Sequence, residues 1–211
     1  MNKYILIFFS FIVVSTALKA QDSTKVTYGI KLGINTNSTT RSSSLGEVNP
    51  PKMKGLKSYS VTVVVDIPLT AALSVQPAVE FTKKGQVKKP YNSDSEQKSK
   101  VNYIQLPVDL VYKYKNIFVG AGGYASVALS GTYEAGSAKQ DMKFGSTYVS
   151  ATSKQNDNWE KYDYGLNTYL GYKIKKFTIS INYEIGLKDI DPNPYYKSKN
   201  RVGSLDVGFS F

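Results

Sequence analysis

The chain contains no histidine and no cysteine. Without histidine, Ser-His and Cys-His nucleophile pairs, Asp-His water-activating pairs and most transition-metal sites are excluded. Without cysteine there is neither a disulfide framework nor a thiolate metal site. Long apolar runs are also scarce: none after the first twenty residues approaches the ~18 residues that a spanning helix needs. A helical membrane protein is thereby excluded, and only a closed barrel of strands remains able to span. Acidic residues are few, 16 against 27 lysines and arginines, for a formal net charge of +11. No basic run with interleaved aromatics forms a stripe suited to nucleic acid. The excess reads as a solvated surface or as attraction to anionic lipid head groups.

Residues 1–20 have the form of a secretory signal peptide, with Lys3, an apolar run from Tyr4 to Val14, and an exit through Leu18 and Ala20. That run is too short to span a bilayer, and no cysteine follows it to carry a lipid. The expected division is a signal peptide over 1–20 and one barrel domain over 21–211, with no Pro/Ser-rich linker inside it.

Beyond residue 21 the chain alternates. Segments at 25–35, 57–67, 72–83, 102–114, 117–130, 161–173, 177–188 and 200–211 place apolar and polar residues on opposite faces at period two. In the seventh, Phe177, Ile179, Ile181, Tyr183, Ile185 and Leu187 alternate without error against Thr178, Ser180, Asn182, Glu184, Gly186 and Lys188. The fifth is small and apolar throughout, so its facing is open; Val119, Ala121, Ala125, Val127 and Leu129 form one set, opposite Gly120, Gly122, Ser126 and Ser130. The last sets Leu205, Val207, Phe209 and Phe211 against Asp206, Gly208 and Ser210, and ends on the terminal Phe. Strands with that ending close bacterial outer-membrane barrels, so these four apolar residues are the expected C-terminal assembly signal.

Connections alternate too: long at 36–56, 84–101, 131–160 and 189–199, short around 68–70, 115–116 and 174–176. Long loops at one rim and tight turns at the other define an all-β fold, an eight-stranded antiparallel up-and-down transmembrane β-barrel. Segments of this length suit the roughly 9–11 residues of a tilted spanning strand.

Alternation alone does not say which face is inward, and a soluble periplasmic lipocalin-like carrier would turn its apolar set in around a ligand. Three features favour the reverse. The polar set is rich in Gly, Ser, Thr and Asn, which suits a crowded interior. It mixes signs, with Lys31, Lys113 and Lys173 beside Asp66, Glu80, Asp109, Asp163, Glu184 and Asp206, a set expected to pair as a structural network in the lumen. Aromatic residues cluster toward the strand ends, as two interfacial girdles would. Trp159, with Tyr162 and Tyr164, is expected at the outer interface. Pro77 and Pro107 oppose closure, because a barrel has no edge strand to accommodate a missing N–H; bulges are expected there.

Tyr28-Gly29-Ile30-Lys31-Leu32-Gly33-Ile34-Asn35, Val75-Gln76-Pro77 through Phe81 to Lys84-Gly85, and Tyr103-Ile104-Gln105-Leu106-Pro107 resemble, in this order and spacing, the PorT-like outer-membrane β-barrel family. The resemblance implies an eight-stranded barrel in the Gram-negative outer membrane. Its namesake is linked to secretion and maturation of cell-surface proteases, a role tied to a neighbouring secretion system. The family often carries an acidic residue after the first Gln-Pro; Ala78 stands there, so any role of that carboxylate does not transfer.

The resulting expectation is an exported, monomeric, non-enzymatic barrel, neither a general porin nor a cofactor protein, with a structural, adhesive or secretion-accessory role. Glu80, Asp109 and Glu184 are the only candidates for a paired acid/base site, and pairing with lysines would make them a plug instead. Expected partners are outer-membrane lipid including lipopolysaccharide, the barrel-assembly machinery, and a surface or secretion-system protein, but no nucleic acid. The lysine-rich loop at 83–100 offers a basic rim for anionic lipopolysaccharide, with salt-sensitive binding as its signature.

Overall fold

A computed structural model describes residues 25–44, 51–91, 95–148 and 158–211. The expected signal peptide lies outside the described residues. Ten strands form: β1 Thr27–Ser43, β2 Lys52–Lys54, β3 Leu56–Pro68, β4 Leu73–Lys89, β5 Gln97–Tyr114, β6 Ile117–Ala135, β7 Ala138–Asp141, β8 Tyr162–Ile174, β9 Phe177–Gly186 and β10 Tyr196–Ser210. Eight of them make a closed antiparallel wall, and the short β2 and β7 pair onto the upper parts of β4 and β6. The seam is the β1–β10 ladder, continuous from Gly29↔Ser210 to Ser43↔Tyr196.

Stepping strand to strand through paired residues, from Ile67 by way of Val75, Leu110, Ala121, Thr168, Tyr183, Gly203 and Thr36, returns to β3 at Lys57, ten residues above the start. Such a stagger goes with strands tilted by roughly 35–45° and a narrow lumen filled by side chains.

Burial settles the facing. Ile34 and Ile181 are 71% and 69% exposed, while Asn35 and Asn200 are each 1% exposed. The apolar set of every barrel strand faces outward, so the carrier reading with an apolar cavity falls. Exposed Tyr28, Tyr112, Tyr172, Phe177 and Phe211 ring the tight-turn end, and Tyr59, Tyr162 and Tyr164 the other. Both two-residue turns place a lysine in the left-handed region, Lys115 at φ 53° and Lys175 at φ 56°. The third turn is held by Thr70, whose Oγ1 accepts from the backbone of Ala72 and Leu73. The C-terminal residue is tied in through Phe211 N–H donating to the Tyr28 carbonyl, 2.9 Å.

Three expectations change. The strands do not stop at the end of apolar alternation: β1 continues to Ser43, β4 to Lys89, β6 to Ala135, β5 begins at Gln97 and β10 at Tyr196. Hydrogen bonding continues above the membrane, where both faces are polar and alternation carries no signal. The prolines produce no bulge. The β3–β4 ladder skips from Val64↔Ala78 to Ile67↔Val75, and the β4–β5 ladder from Pro77↔Val108 to Glu80↔Gln105, each in unchanged register. The missing donors of Pro77 and Pro107 are absorbed as gaps on the two sides of β4. The register shift lies elsewhere: Asn102 pairs Ser130 while Tyr103 pairs Ala128, leaving Leu129 between them. That bulge keeps Val119, Ala121, Ala125 and Leu129 outward and carries Ser130 out with them, against expectation.

An Arg at Ile181, mid-wall and outward, is expected to lower stability by about 2–4 kcal/mol in bilayers. Arg at Gln140, exposed in β7, is expected to change it by less than ~0.5 kcal/mol. Urea unfolding in lipid vesicles checks both; equal effects contradict the outward assignment.

Candidate functional site: the polar lumen and its cap

The inward faces of β4, β5, β8, β9 and β10 converge on Lys84, whose side chain is wholly buried. Its ammonium lies 3.0 Å from Glu184 Oε2 and 3.6 Å from Asp163 Oδ2. The Tyr124 ring sits 4.1 Å from it and the Tyr103 ring 5.8 Å. Neutral donors complete the acids: Gln105 Nε2 donates to Glu184 Oε1 at 2.8 Å, and Asn200 Nδ2 to Asp163 Oδ2 at 2.9 Å. One cation thus serves two carboxylates in a dry position, where removing one member leaves uncompensated charge.

Below this centre the polar residues form a second set. Lys113 is ion-paired with Asp66, which also accepts from Gln76 Nε2 at 3.2 Å. The Tyr169 hydroxyl donates to Gln76 Oε1 at 3.0 Å, and the Lys31 ammonium lies 4.9 Å from the Tyr169 ring centre. Asp109 accepts from Asn167 Nδ2 at 2.8 Å. Glu80 and Asp206 line a small mid-lumen cavity with Lys31, Asp109 and Glu184. Lys173 stands exposed at the tight-turn mouth, on a pocket of ≈ 90 Å³ shared with Lys31, Asp66 and Lys113.

Glycine makes this filling possible at two positions. A Cβ on Gly120 would lie 2.2 Å from the Tyr169 ring, and one on Gly165 2.8 Å from the Tyr124 ring. Each ring occupies the space that a side chain on the neighbouring strand would need.

Above Lys84 the lumen turns apolar. Val101 and Tyr103 of β5 and Ala128 of β6 pack with Met142, Trp159 and Ile190 from the outer connections, and with Tyr133 and Phe144. Trp159 is 5% exposed. Backbone bonds fix these segments: Glu160 N–H to the Ile190 carbonyl at 2.9 Å, Ile190 N–H to Ser198 at 2.8 Å, and Gly145 N–H to Trp159 at 3.0 Å. The cylinder is therefore capped at the long-loop end and open at the tight-turn end.

Of the expected lumen residues, Asp163 and Glu184 meet at one centre and Asp66 and Lys113 pair directly. Among the described residues Lys31 and Lys173 have no carboxylate within salt-bridge distance. The acid/base candidates are held apart in role: Glu184 is engaged by Lys84 and Gln105, and Asp109 by Asn167. Sequence reasoning missed Lys84, assigned to a loop; continuing the inward register Glu80, Thr82, Lys84 by one more step finds it. It also misplaced Trp159, which is a cap residue; Tyr162 and Tyr164 do face outward. Leu205, Val207 and Phe211 are exposed on the wall, and Phe209 packs edge-on against Phe177 at 5.1 Å and Phe211 at 5.4 Å.

A family model described as outer membrane protein beta-barrel domain matches residues 19–191. The chain belongs to this family. It is accordingly a barrel of the Gram-negative outer membrane. Among solved structures it is similar to Neisserial surface protein A, with 13% identity, a TM-score of 0.52, and coverage of 89% of this chain and 100% of that one. Further likenesses are the attachment invasion locus protein Ail of Yersinia pestis, at 11% identity, TM-score 0.46 and coverage of 89% and 100%, and OprG of Pseudomonas aeruginosa, at 11% identity, TM-score 0.44 and coverage of 90% and 98%. These low identities speak to fold alone. No curated protein matches the chain in sequence.

Lys84→Met is expected to lower stability by about 3–5 kcal/mol, because Asp163 and Glu184 stay buried without a cation. Lys173→Met at the open mouth should change it by less than ~0.5 kcal/mol. Equilibrium unfolding in lipid vesicles compares them. On the outer rim, Lys54 Nζ donates to Glu96 Oε1 at 2.7 Å and holds that carboxyl below its ordinary value. This link is intact at neutral pH and is lost as pH falls through the lowered value. Amide protection factors at 95–98, corrected for the intrinsic exchange rate at each pH, should fall on acidification before those of the wall do.

Proposed function

We propose that this protein is a sealed, non-conducting barrel whose role is structural or adhesive and is carried by its outer hairpins and outer wall. The observation that carries this reading is the double closure: a buried charge centre at Lys84 beneath an apolar cap around Trp159. A conduit needs a continuous wet path, and two dry barriers in series oppose one. The strands meanwhile run well past the girdle of Tyr59, Tyr162 and Tyr164, building a stiff rim that presents β2, β7 and the connections to the outside. Chemistry on the lumen acids is disfavoured because Glu184 and Asp109 already have fixed partners. The barrel acts as a non-enzymatic monomer, and its C-terminal strand, ending Leu205, Val207, Phe209 and Phe211, is the segment for the assembly machinery.

The PorT-like segments at 28–35, 75–85 and 103–107 support a finer reading, an accessory to surface-protein secretion. The open vestibule at the tight-turn end is where a periplasmic component would meet this barrel. Both readings share the sealed lumen.

Planar-bilayer recording tests it. The folded protein should show no stable conductance, and Trp159→Ala should at most add brief, small openings, since the Lys84 centre remains. Stable, large conductance of the unmodified protein would refute the sealed reading.

A further inference from the structure

In β1, β3, β4 and β10, every acid points inward: β1 has none, and Asp66, Glu80 and Asp206 all belong to the lumen face. Four outward bases at the upper end of these strands, Lys57, Lys83, Lys199 and Arg201, have no acidic partner among the described residues. Thr36 pairs Lys57 on one side, and Ser38 pairs Arg201 on the other. Lys57 and Arg201 thus flank β1 at nearly one level, about two strand spacings or ~10 Å apart. On β4, Lys83 holds its ammonium 5.1 Å from the ring centre of Tyr59, two residues below Lys57. Lys199 stands two residues above Arg201 on the same face, its backbone opposite Thr40.

The opposite wall differs. There Lys100 Nζ is 2.9 Å from Glu134 Oε2, and Lys188 Nζ is 4.0 Å from Glu160 Oε2. Lys57, Lys83, Lys199 and Arg201 have no carboxylate within that distance among the described residues. Arg201 Nη1 donates to the Gly186 and Asn200 carbonyls at 3.1 and 3.3 Å, which fixes the guanidinium against the wall and leaves the rest of its fork without a partner among the described residues. Side-chain hydroxyls of Thr36 and Ser38 lie between the two flanking bases.

Height identifies the ligand. The patch begins where the apolar band of Val61, Phe81 and Leu205 ends, one turn of the pleat above the Tyr59 girdle. At that level a barrel meets head groups, not acyl chains and not free solution. An arginine fork and flexible ammoniums around hydroxyls suit phosphate.

We propose that the outward face of β10, β1, β3 and β4 is a binding site for the phosphorylated head group of an outer-leaflet glycolipid. The acyl chains lie along the apolar wall below, and the phosphates sit among Lys57, Lys83 and Arg201, with Lys199 above. The site rests on the long hairpins being external, as in the sealed-barrel reading, but does not depend on the lumen being closed.

The test uses the full folded protein in nanodiscs of zwitterionic phospholipid, doped with bisphosphorylated lipid A or with its dephosphorylated form, and reads bound glycolipid by mass spectrometry of intact complexes. The unmodified protein should retain the bisphosphorylated form at least tenfold better than the dephosphorylated one, and 0.5 M salt should weaken retention. Lys57→Ser, Lys83→Ser and Arg201→Ser together should weaken it at least tenfold, whereas Lys100→Ser with Lys188→Ser on the far wall should stay within twofold. Lys57→Arg, Lys83→Arg should bind as the unmodified protein does, which guards against misfolding of the serine variant. Inorganic phosphate alone should bind at least a hundredfold more weakly, lacking the chains. Equal retention by the triple variant, equal retention of dephosphorylated lipid A, an equal loss in the far-wall pair, or tight binding of free phosphate each overturns the proposal. A conductance would sink the sealed reading while leaving these binding results untouched.

Discussion

Closure of the sheet is the constraint from which the rest follows. In hydrocarbon each unpaired backbone group costs several kcal/mol, so the first and last strands must find each other, and the β1–β10 ladder does this along its whole length. Once eight strands close with a stagger of ten residues, the lumen is too narrow for a continuous water-filled channel. The interior must then be solid, and it must be solid with the polar half of each strand, because the apolar half faces lipid. The ladder gaps beside Pro77 and Pro107 show the tolerance of this closure: two short interruptions on either side of β4 leave the register intact.

A solid polar interior forces charge to be sorted. Asp66, Glu80, Asp109, Asp163, Glu184 and Asp206 lie inside, where Lys84 answers Asp163 and Glu184 and Lys113 answers Asp66. Lys31 also stands in the lumen, while Lys57, Lys83, Lys199 and Arg201 stand outside and Lys173 at the tight-turn rim, which is how a chain with a large positive excess folds around an interior rich in carboxylates. The same sorting makes the two ends unlike. The long-loop end is sealed by apolar residues around Trp159, and the tight-turn end stays open and basic.

Much of this was legible in the chain. Period-two alternation located all eight barrel strands, and the order of long and short connections gave the meander and its sidedness. Legibility ended where lipid ended. Thr36 to Ser43 is strand, yet neither face there is apolar, so no pattern marks it. Lys84 illustrates the same limit: it follows Lys83 in a lysine-rich stretch that looks like a solvated rim, but register carries Lys83 outward over Tyr59 and Lys84 into the dry centre. Trp159 looked like a girdle residue because interfacial aromatics look alike in sequence; its place depends on connections that fold back over the mouth.

The sequence by itself determined the class of structure: no membrane-spanning helix, no thiol or imidazole chemistry, eight amphipathic strands, and an apolar face meant for lipid, all of which depend on local periodicity and composition. Only the tertiary structure decided which charges meet. Partners such as Lys84 and Glu184 lie on strands far apart in the chain, brought together across the lumen by the stagger of the whole barrel, and a stagger is a property of the closed ring that no single strand encodes.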